Sequence, residues 1–116
     1  MSFYELRKAI LELAGERDHL TFVEIMAKFP EEKGDCHISL TGYGNIWMWA
    51  DMSENMAAAV NDIMQSHDLH VHPATQFTYL LAGGGLKLPF AEAARQFNKP
   101  HWFPVTLDKS HPKGVN

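Results

Sequence analysis

Cysteine is nearly missing from this chain of 116 residues, in which Cys36 is the single example. One cysteine excludes an intrachain disulfide, and so excludes the class of small secreted domains that are held together by such bonds. Long apolar runs are missing too, and a run such as residues 46–50 is far shorter than the roughly 20 residues of a membrane-spanning helix. The first residues lack the basic and apolar segments of a secretory signal. We therefore expect a soluble, cytoplasmic protein that does not contact a membrane.

Positive charge is scarce, with 10 Lys and Arg residues against 14 Asp and Glu residues and a net charge of −4. This balance argues against a protein held on nucleic acid mainly by phosphate contacts, although it allows a regulator with one small basic face. Hydrophobic residues make up 46% of the chain, which is sufficient for a packed core. We expect one globular domain over residues 1–108 and a flexible polar tail over residues 109–116.

Capping residues and helical periodicity predict the main helices. Ser2 and Thr21 are each followed three residues later by a glutamate, Glu5 and Glu24, which is the spacing of a capping box. Ser53 precedes a third segment with apolar residues at helical spacing. The predicted helices cover residues 3–14, 22–29 and 53–66, with a short fourth helix at residues 90–97.

Short apolar or alternating runs predict the strands, at residues 37–41, 46–50, 69–72 and 77–81. Residues 31–35 are predicted to form a polar loop. Residues 101–107 are predicted to pack back on the body as an extended segment, because Trp102 and Phe103 are costly to expose. The predicted fold class is α+β: a small, winged-helix-like single domain with β-hairpins.

The third predicted helix would then be the DNA-reading helix, and residues 69–81 would be its wing. Asn55, Asn61 and Gln65 lie off its apolar face and carry amides that can bond adenine edges, while Lys87 would contact phosphate. The same face also carries Glu54 and Asp62, and carboxylates repel phosphate. The alternative to a DNA-reading role is that this face is an ordinary solvated helix surface.

The densest histidine cluster follows this helix. His70 and His72 would point to one side of a strand, and two imidazoles there can bind a transition metal with His67 as a third ligand. Together with Gln76 and Gly83 this spacing resembles the first metal motif of the cupins, except that Gln76 stands where that family has glutamate and no second motif follows. The alternative is that the histidines are polar strand-edge residues. We assign no metal and keep these three histidines as candidates.

Catalytic motifs are not found. The triple glycine at residues 83–85 lacks the lysine and hydroxyl residue of a phosphate loop, and no nucleophile elbow is present. We therefore predict a protein that is not an enzyme and needs no cofactor. Trp47 and Trp49 share one face of a predicted strand, where they would either pack in the core or form an exposed patch for a protein partner or a homodimer.

Several short runs in the second half stand out: IWMW at 46–49, Ser53 opening a helix, LHVHP at 69–73, YLLAG at 79–83, LKLP at 86–89 and KPHWFPV at 99–105. Through these runs residues 45–107 resemble small proteins encoded in prophages and satellite phages of enteric bacteria. The resemblance implies a mobile-element origin and a non-enzymatic regulatory role, with DNA or a protein as partner. It assigns no functional residue.

Overall fold

A computed structural model describes residues 1–109. The described elements are, in chain order, α1 (Phe3–Glu16), α2 (Phe22–Lys28), a 3-10 turn (Pro30–Glu32), β1 (Lys33–Leu40), β2 (Tyr43–Met52), α3 (Glu54–Gln65), β3 (His70–Pro73), α4 (Gln76–Ala82), β4 (His101–Trp102) and β5 (Val105–Asp108). They form a compact single domain of the α+β class, as the sequence predicts. Of the tail predicted to be flexible, only Lys109 is described.

The N-terminal ends of the helices are fixed by local hydrogen bonds. At α1 the Glu5 backbone N–H donates to the Ser2 hydroxyl at 3.2 Å, and the Ser2 N–H donates to the Glu5 carboxylate at 3.0 Å. Thr21 and Glu24 make the same reciprocal pair at α2, at 3.2 and 3.1 Å. Each pair satisfies donors that a helix end leaves unpaired. Both predicted capping boxes are therefore confirmed.

Two small sheets carry the strands. In the first, β2 lies between β1, with which it pairs antiparallel, and β4, with which it pairs parallel. In the second, β3 and β5 pair antiparallel, with His70 opposite Asp108 and His72 opposite Thr106. The C-terminal strand therefore completes a sheet with a strand from the middle of the chain.

The predicted strand at residues 77–81 is wrong, because these residues lie within α4. The Thr75 side chain caps this helix by accepting a hydrogen bond from the Thr78 backbone N–H at 3.2 Å. In the helix, the side chain of Tyr79 points into the core and is fully buried, while those of Leu80 and Leu81 are exposed. Residues 69–81 therefore do not form a hairpin, and β3 pairs with β5 instead.

The predicted helix at residues 90–97 is also wrong. The Ala91 N–H donates to the Trp102 carbonyl at 2.8 Å, and the Trp102 N–H donates to the Pro89 carbonyl at 2.8 Å, so residues 89–91 lie along β4, and residues 92–97 are bends and irregular backbone. Lys87 lies in the segment between α4 and β4, outside any hairpin. The polar loop predicted at residues 31–35 is a 3-10 turn followed directly by β1.

The core lies between the helices and the sheets. The C-terminal segment packs back on the body as predicted, since Trp102 is 4% exposed and Val105 and Leu107 are fully buried. Fully buried side chains from the helices and from β2 complete the core, among them Leu6, Ile10, Phe22, Ile25, Met52, Met56, Ile63 and Tyr79. None of the helices in the described part is long and apolar enough to cross a membrane.

Candidate metal centre

Three potential metal ligands from distant parts of the chain meet on one side of the β3–β5 sheet. His19 lies in the loop between α1 and α2, His72 lies on β3, and Asp108 ends β5. One ligand atom from each of the three side chains lies within 4.8 Å of the other two. Among the described residues this is the arrangement of His, Cys, Asp or Glu side chains best placed to hold a metal ion.

The carboxylate of Asp108 is the fixed part of this cluster, with only 7% of the residue exposed. One oxygen, Oδ1, accepts a hydrogen bond from the His19 backbone N–H at 2.8 Å. The other, Oδ2, accepts from the Thr106 hydroxyl at 2.8 Å. A buried carboxylate is stable only when it is hydrogen-bonded or paired with a cation. These bonds therefore set the orientation in which Asp108 meets the two imidazoles.

Backbone pairing brings His19 to this carboxylate. The Leu107 N–H donates to the Leu20 carbonyl at 2.8 Å, and the Leu20 N–H donates to the Leu107 carbonyl at 3.2 Å. This isolated bridge ties the α1–α2 loop to β5, one residue from both His19 and Asp108. His19 itself has a φ of 55°, in the left-handed region that non-glycine residues seldom adopt. The loop conformation is thus held by contacts beyond its own sequence.

Each imidazole of the cluster lies close to a different oxygen of the Asp108 carboxylate. Nδ1 of His19 lies 3.1 Å from Asp108 Oδ1, and Nδ1 of His72 lies 3.4 Å from Asp108 Oδ2. Ligands of a tetrahedral zinc ion with bonds near 2.0–2.1 Å are about 3.3–3.4 Å apart. The His19 side chain is 71% exposed and the His72 side chain 18% exposed, so an ion has access from solvent.

A pocket of about 330 Å³ adjoins the cluster and includes both histidines in its wall. Its other described lining residues are Pro73, Ala74, Thr75, Thr78 and Thr106. Since the described lining adds no further acidic or basic side chain, an ion held by the three ligands would face a neutral, hydroxyl-bearing space. Zinc and non-haem iron sites typically have such an arrangement, with two imidazole ligands, one carboxylate ligand and an open side.

Only one of the histidines predicted as metal candidates belongs to this cluster. His72 joins it, whereas His67 and His70 stack on one another with ring centroids 5.9 Å apart. Gln76 begins α4 and Gly83 caps its end, so the cupin-like spacing does not correspond to a set of strand ligands. His19 and Asp108 were not predicted, because no local sequence pattern links them to His72.

The predicted DNA-reading residues are spread over different surroundings. The Asn55 amide donates to the Met1 carbonyl at 3.3 Å. Asn61 and Gln65 are exposed and line a groove of about 470 Å³ between α3, β1 and β3. Lys87 is exposed but lies outside that groove's described lining. The acidic residue Asp62 is paired with Arg7 of α1 at 2.6 Å.

The two tryptophans of the predicted face are both half-buried and have different neighbours. Trp49 stacks on Phe22 and Tyr79, with ring centroids 6.0 and 5.4 Å away, and packs against the core. Trp47 stacks on His37 at 3.9 Å. Of the two alternatives for these tryptophans, packing in the core is therefore the one that applies to Trp49.

Comparison of the chain with models of protein families, with curated proteins and with solved structures found no match.

Proposed function

We propose that this protein binds a divalent transition metal ion through His19, His72 and Asp108. The observation that carries the proposal is the convergence of one ligand atom from each of these side chains within 4.8 Å. Imidazole nitrogen and carboxylate oxygen are both common ligands of zinc and of iron. Asp108 is held by hydrogen bonds from the His19 backbone and Thr106, which supports the proposal because such outer contacts fix a ligand before the metal arrives.

The proposed ion would also tie together three chain segments. His19 precedes α2, His72 lies in β3, and Asp108 lies at the C-terminal end of β5. An ion that binds this arrangement and not the unfolded chain adds its binding free energy to the stability of the fold. The role that follows is a metal-dependent structural or binding role, in keeping with the prediction that the protein is not an enzyme.

Isothermal titration of untagged, chelator-treated protein with Zn²⁺ or Co²⁺ tests the proposal. We expect one ion per chain. His72→Gln and Asp108→Asn should each weaken binding by at least about tenfold, since even an outer-shell change costs that much. His67→Asn is the matched control, because His67 is an exposed histidine outside the cluster. Equal affinity in all four proteins would contradict the proposal.

A cytoplasmic regulatory module of prophage type is the second candidate function, with α3 as its reading helix and without the wing predicted at residues 69–81, which do not form a hairpin. It is favoured by the exposure of Asn61 and Gln65 side by side along one groove. Titration of pooled genomic DNA at low salt tests the DNA-binding version, and N61A/Q65A should weaken binding that the parent protein shows. No binding by the parent at micromolar concentration would retire that version.

A protein partner is the other version of this regulatory role. It is favoured by three large apolar side chains that α4 exposes: Phe77 at 57%, Leu80 at 72% and Leu81 at 74%. Exposed apolar patches on small domains often mark interaction surfaces. The mass in solution tests self-association at this surface, where L80E/L81E should convert a dimer to a monomer. A monomer at every concentration would rule out the homodimer.

A further inference from the structure

The pocket beside the proposed metal centre has a composition that restricts what it can bind. His19 and His72 form part of its wall, and Thr106, which bonds the third ligand, forms another part. An ion held by the three side chains would therefore present its remaining coordination positions to this space. A volume of about 330 Å³ is at the small end of ligand pockets, which span about 300–1,000 Å³.

The pocket is lined by hydroxyl groups as well as by the histidines. The Thr75 and Thr78 hydroxyl oxygens lie 3.1 Å apart, and the Thr75 oxygen also accepts from the Thr78 backbone N–H at 3.2 Å. A hydroxyl carries one proton, so the bond between these two hydroxyls uses only one of their two protons. The second proton can be donated to an acceptor in the pocket.

The net charge of the metal centre determines which kind of hydrogen-bond acceptor the pocket can hold. A divalent ion with two neutral imidazoles and one carboxylate leaves a net charge of +1 at the centre. The described residues that line the pocket include no Lys, Arg, Asp or Glu. A ligand with one negative charge would balance the centre, whereas a dianion would leave an excess charge in a space with no cation to pair it.

We propose that the metal-loaded protein binds the carboxylate group of a small monocarboxylic acid. One carboxylate oxygen would coordinate the ion, and the other would accept a hydrogen bond from the Thr75–Thr78 hydroxyl pair. This inference rests on the proposed metal-binding function and names the ligand class of that same site. The inference concerns ligand binding and includes no reaction.

Visible absorption of the Co²⁺-loaded protein is the test, because cobalt bands respond when a ligand enters the coordination sphere. Acetate should change the bands and saturate, and phosphate at matched ionic strength should require a concentration at least about tenfold higher. Chloride is the reference anion. Cobalt that binds without a response to acetate, or that responds to phosphate as readily, would overturn this inference and leave the metal site intact. Failure of cobalt to bind at all would overturn the proposed function and this inference together.

Variants of Thr78 separate the pocket from the metal. Thr78→Val removes the hydroxyl and should weaken acetate binding by about tenfold, since a hydrogen bond to a charged group is lost, while cobalt affinity stays unchanged. Thr78→Ser keeps a hydroxyl and should restore acetate binding. Thr41→Val, in the turn after β1, is the matched control and should behave like the parent. Equal acetate affinity in the valine and serine variants would show that the Thr78 hydroxyl does not contact the ligand and would overturn the role assigned to it.

Discussion

Asp108 holds His19 through two contacts to one carboxylate oxygen: the His19 backbone N–H donates to Oδ1 at 2.8 Å, and Nδ1 of the same residue lies 3.1 Å away. The backbone bond positions the loop, and the ring contact places a metal-binding nitrogen beside the carboxylate. Because both contacts depend on the pairing of Leu20 with Leu107, the proposed centre exists only when the chain is folded. Metal binding and folding stability must therefore be linked.

The first prediction follows from this linkage. Free Zn²⁺ at about 100 times its dissociation constant should raise the free energy of unfolding by about 2.7 kcal/mol, as mass action requires for a ligand that binds only the folded state. Urea unfolding with and without Zn²⁺ measures the change, and a chelator should reverse it. Asp108→Asn should lower the stability of the metal-free protein and reduce the response to zinc at the same zinc concentration. A response of normal size in Asp108→Asn would contradict the assignment of that ligand.

The second prediction concerns the Tyr79 hydroxyl, which joins α4 to the core. It donates to the Val105 carbonyl at 2.7 Å and accepts from the Phe22 backbone N–H at 3.1 Å. Burial raises the pKa of Tyr79 above its ordinary value, so the hydroxyl remains a donor throughout the neutral range. Tyr79→Phe leaves two buried backbone groups unpaired and should lower the free energy of unfolding by about 1–3 kcal/mol, measured with urea.

Tyr4→Phe is the matched control for Tyr79→Phe. Tyr4 lies on α1 and is 78% exposed, so loss of its hydroxyl should leave the urea midpoint unchanged. Equal midpoints for the two variants would show that the buried hydroxyl contributes nothing measurable.

Local sequence patterns predicted the structure correctly where it depends on hydrogen bonds between residues close together in the chain. The α1 and α2 capping boxes each involve residues three positions apart, and Ser53 caps α3 in the same local way. Residues 77–81 were assigned to a strand because a run of five mostly apolar residues has no clear period. The helix is stabilised by the Thr75 cap and by the burial of Tyr79. Of these two features, only the cap could have been predicted from the sequence.

The candidate metal centre was beyond sequence reasoning for a different reason. His72 could be selected as a ligand, but its partners are set by the antiparallel pairing of β3 with β5 and by the Leu20–Leu107 bridge. Both pairings join residues far apart in the chain. Sequence periodicity predicts which residues share a face of one strand, and not which distant loop lies beside that face.

The third prediction concerns Gly85, which lies against the indole of Trp102. A Cβ atom at this position would come within 2.1 Å of the Trp102 ring. Gly85→Ala must therefore displace a core side chain that is 4% exposed, and overpacking of this kind costs about 1–3 kcal/mol. Urea unfolding measures the loss, and near-ultraviolet circular dichroism reports the displaced indole.

Gly44→Ala serves as the control for Gly85→Ala. Gly44 lies in β2, and a Cβ added there would meet nothing within 4 Å. We expect its urea midpoint and near-ultraviolet spectrum to match those of the parent. A Gly85→Ala protein that also matched the parent would mean that Trp102 is not held against this glycine.

The fourth prediction concerns the dependence of stability on pH at the contact between α1 and the end of α3. The Arg7 guanidinium pairs with Asp62 at 2.6 Å and also with Asp68. Hydrogen bonds from Arg7 and Ser66 lower the pKa of Asp68 below its ordinary value of 3.8. The folded state therefore binds fewer protons here than the unfolded state, so this contribution to stability is present above about pH 3.8 and is lost as the pH falls through the lower, folded-state value.

Urea midpoints measured from pH 7 down to pH 3 test this dependence. Asp68→Asn should be less stable than the parent at pH 7, and the gap should narrow as the pH approaches 3, because the parent loses the same ion pair by protonation. Salt should narrow the gap at pH 7, since the pair is exposed and therefore screened. Glu12→Gln is the control, because Glu12 is exposed on α1 and meets only Lys8 at 4.0 Å among the described residues. A constant gap between Asp68→Asn and the parent across this range would show that Asp68 is not held by Arg7 in solution.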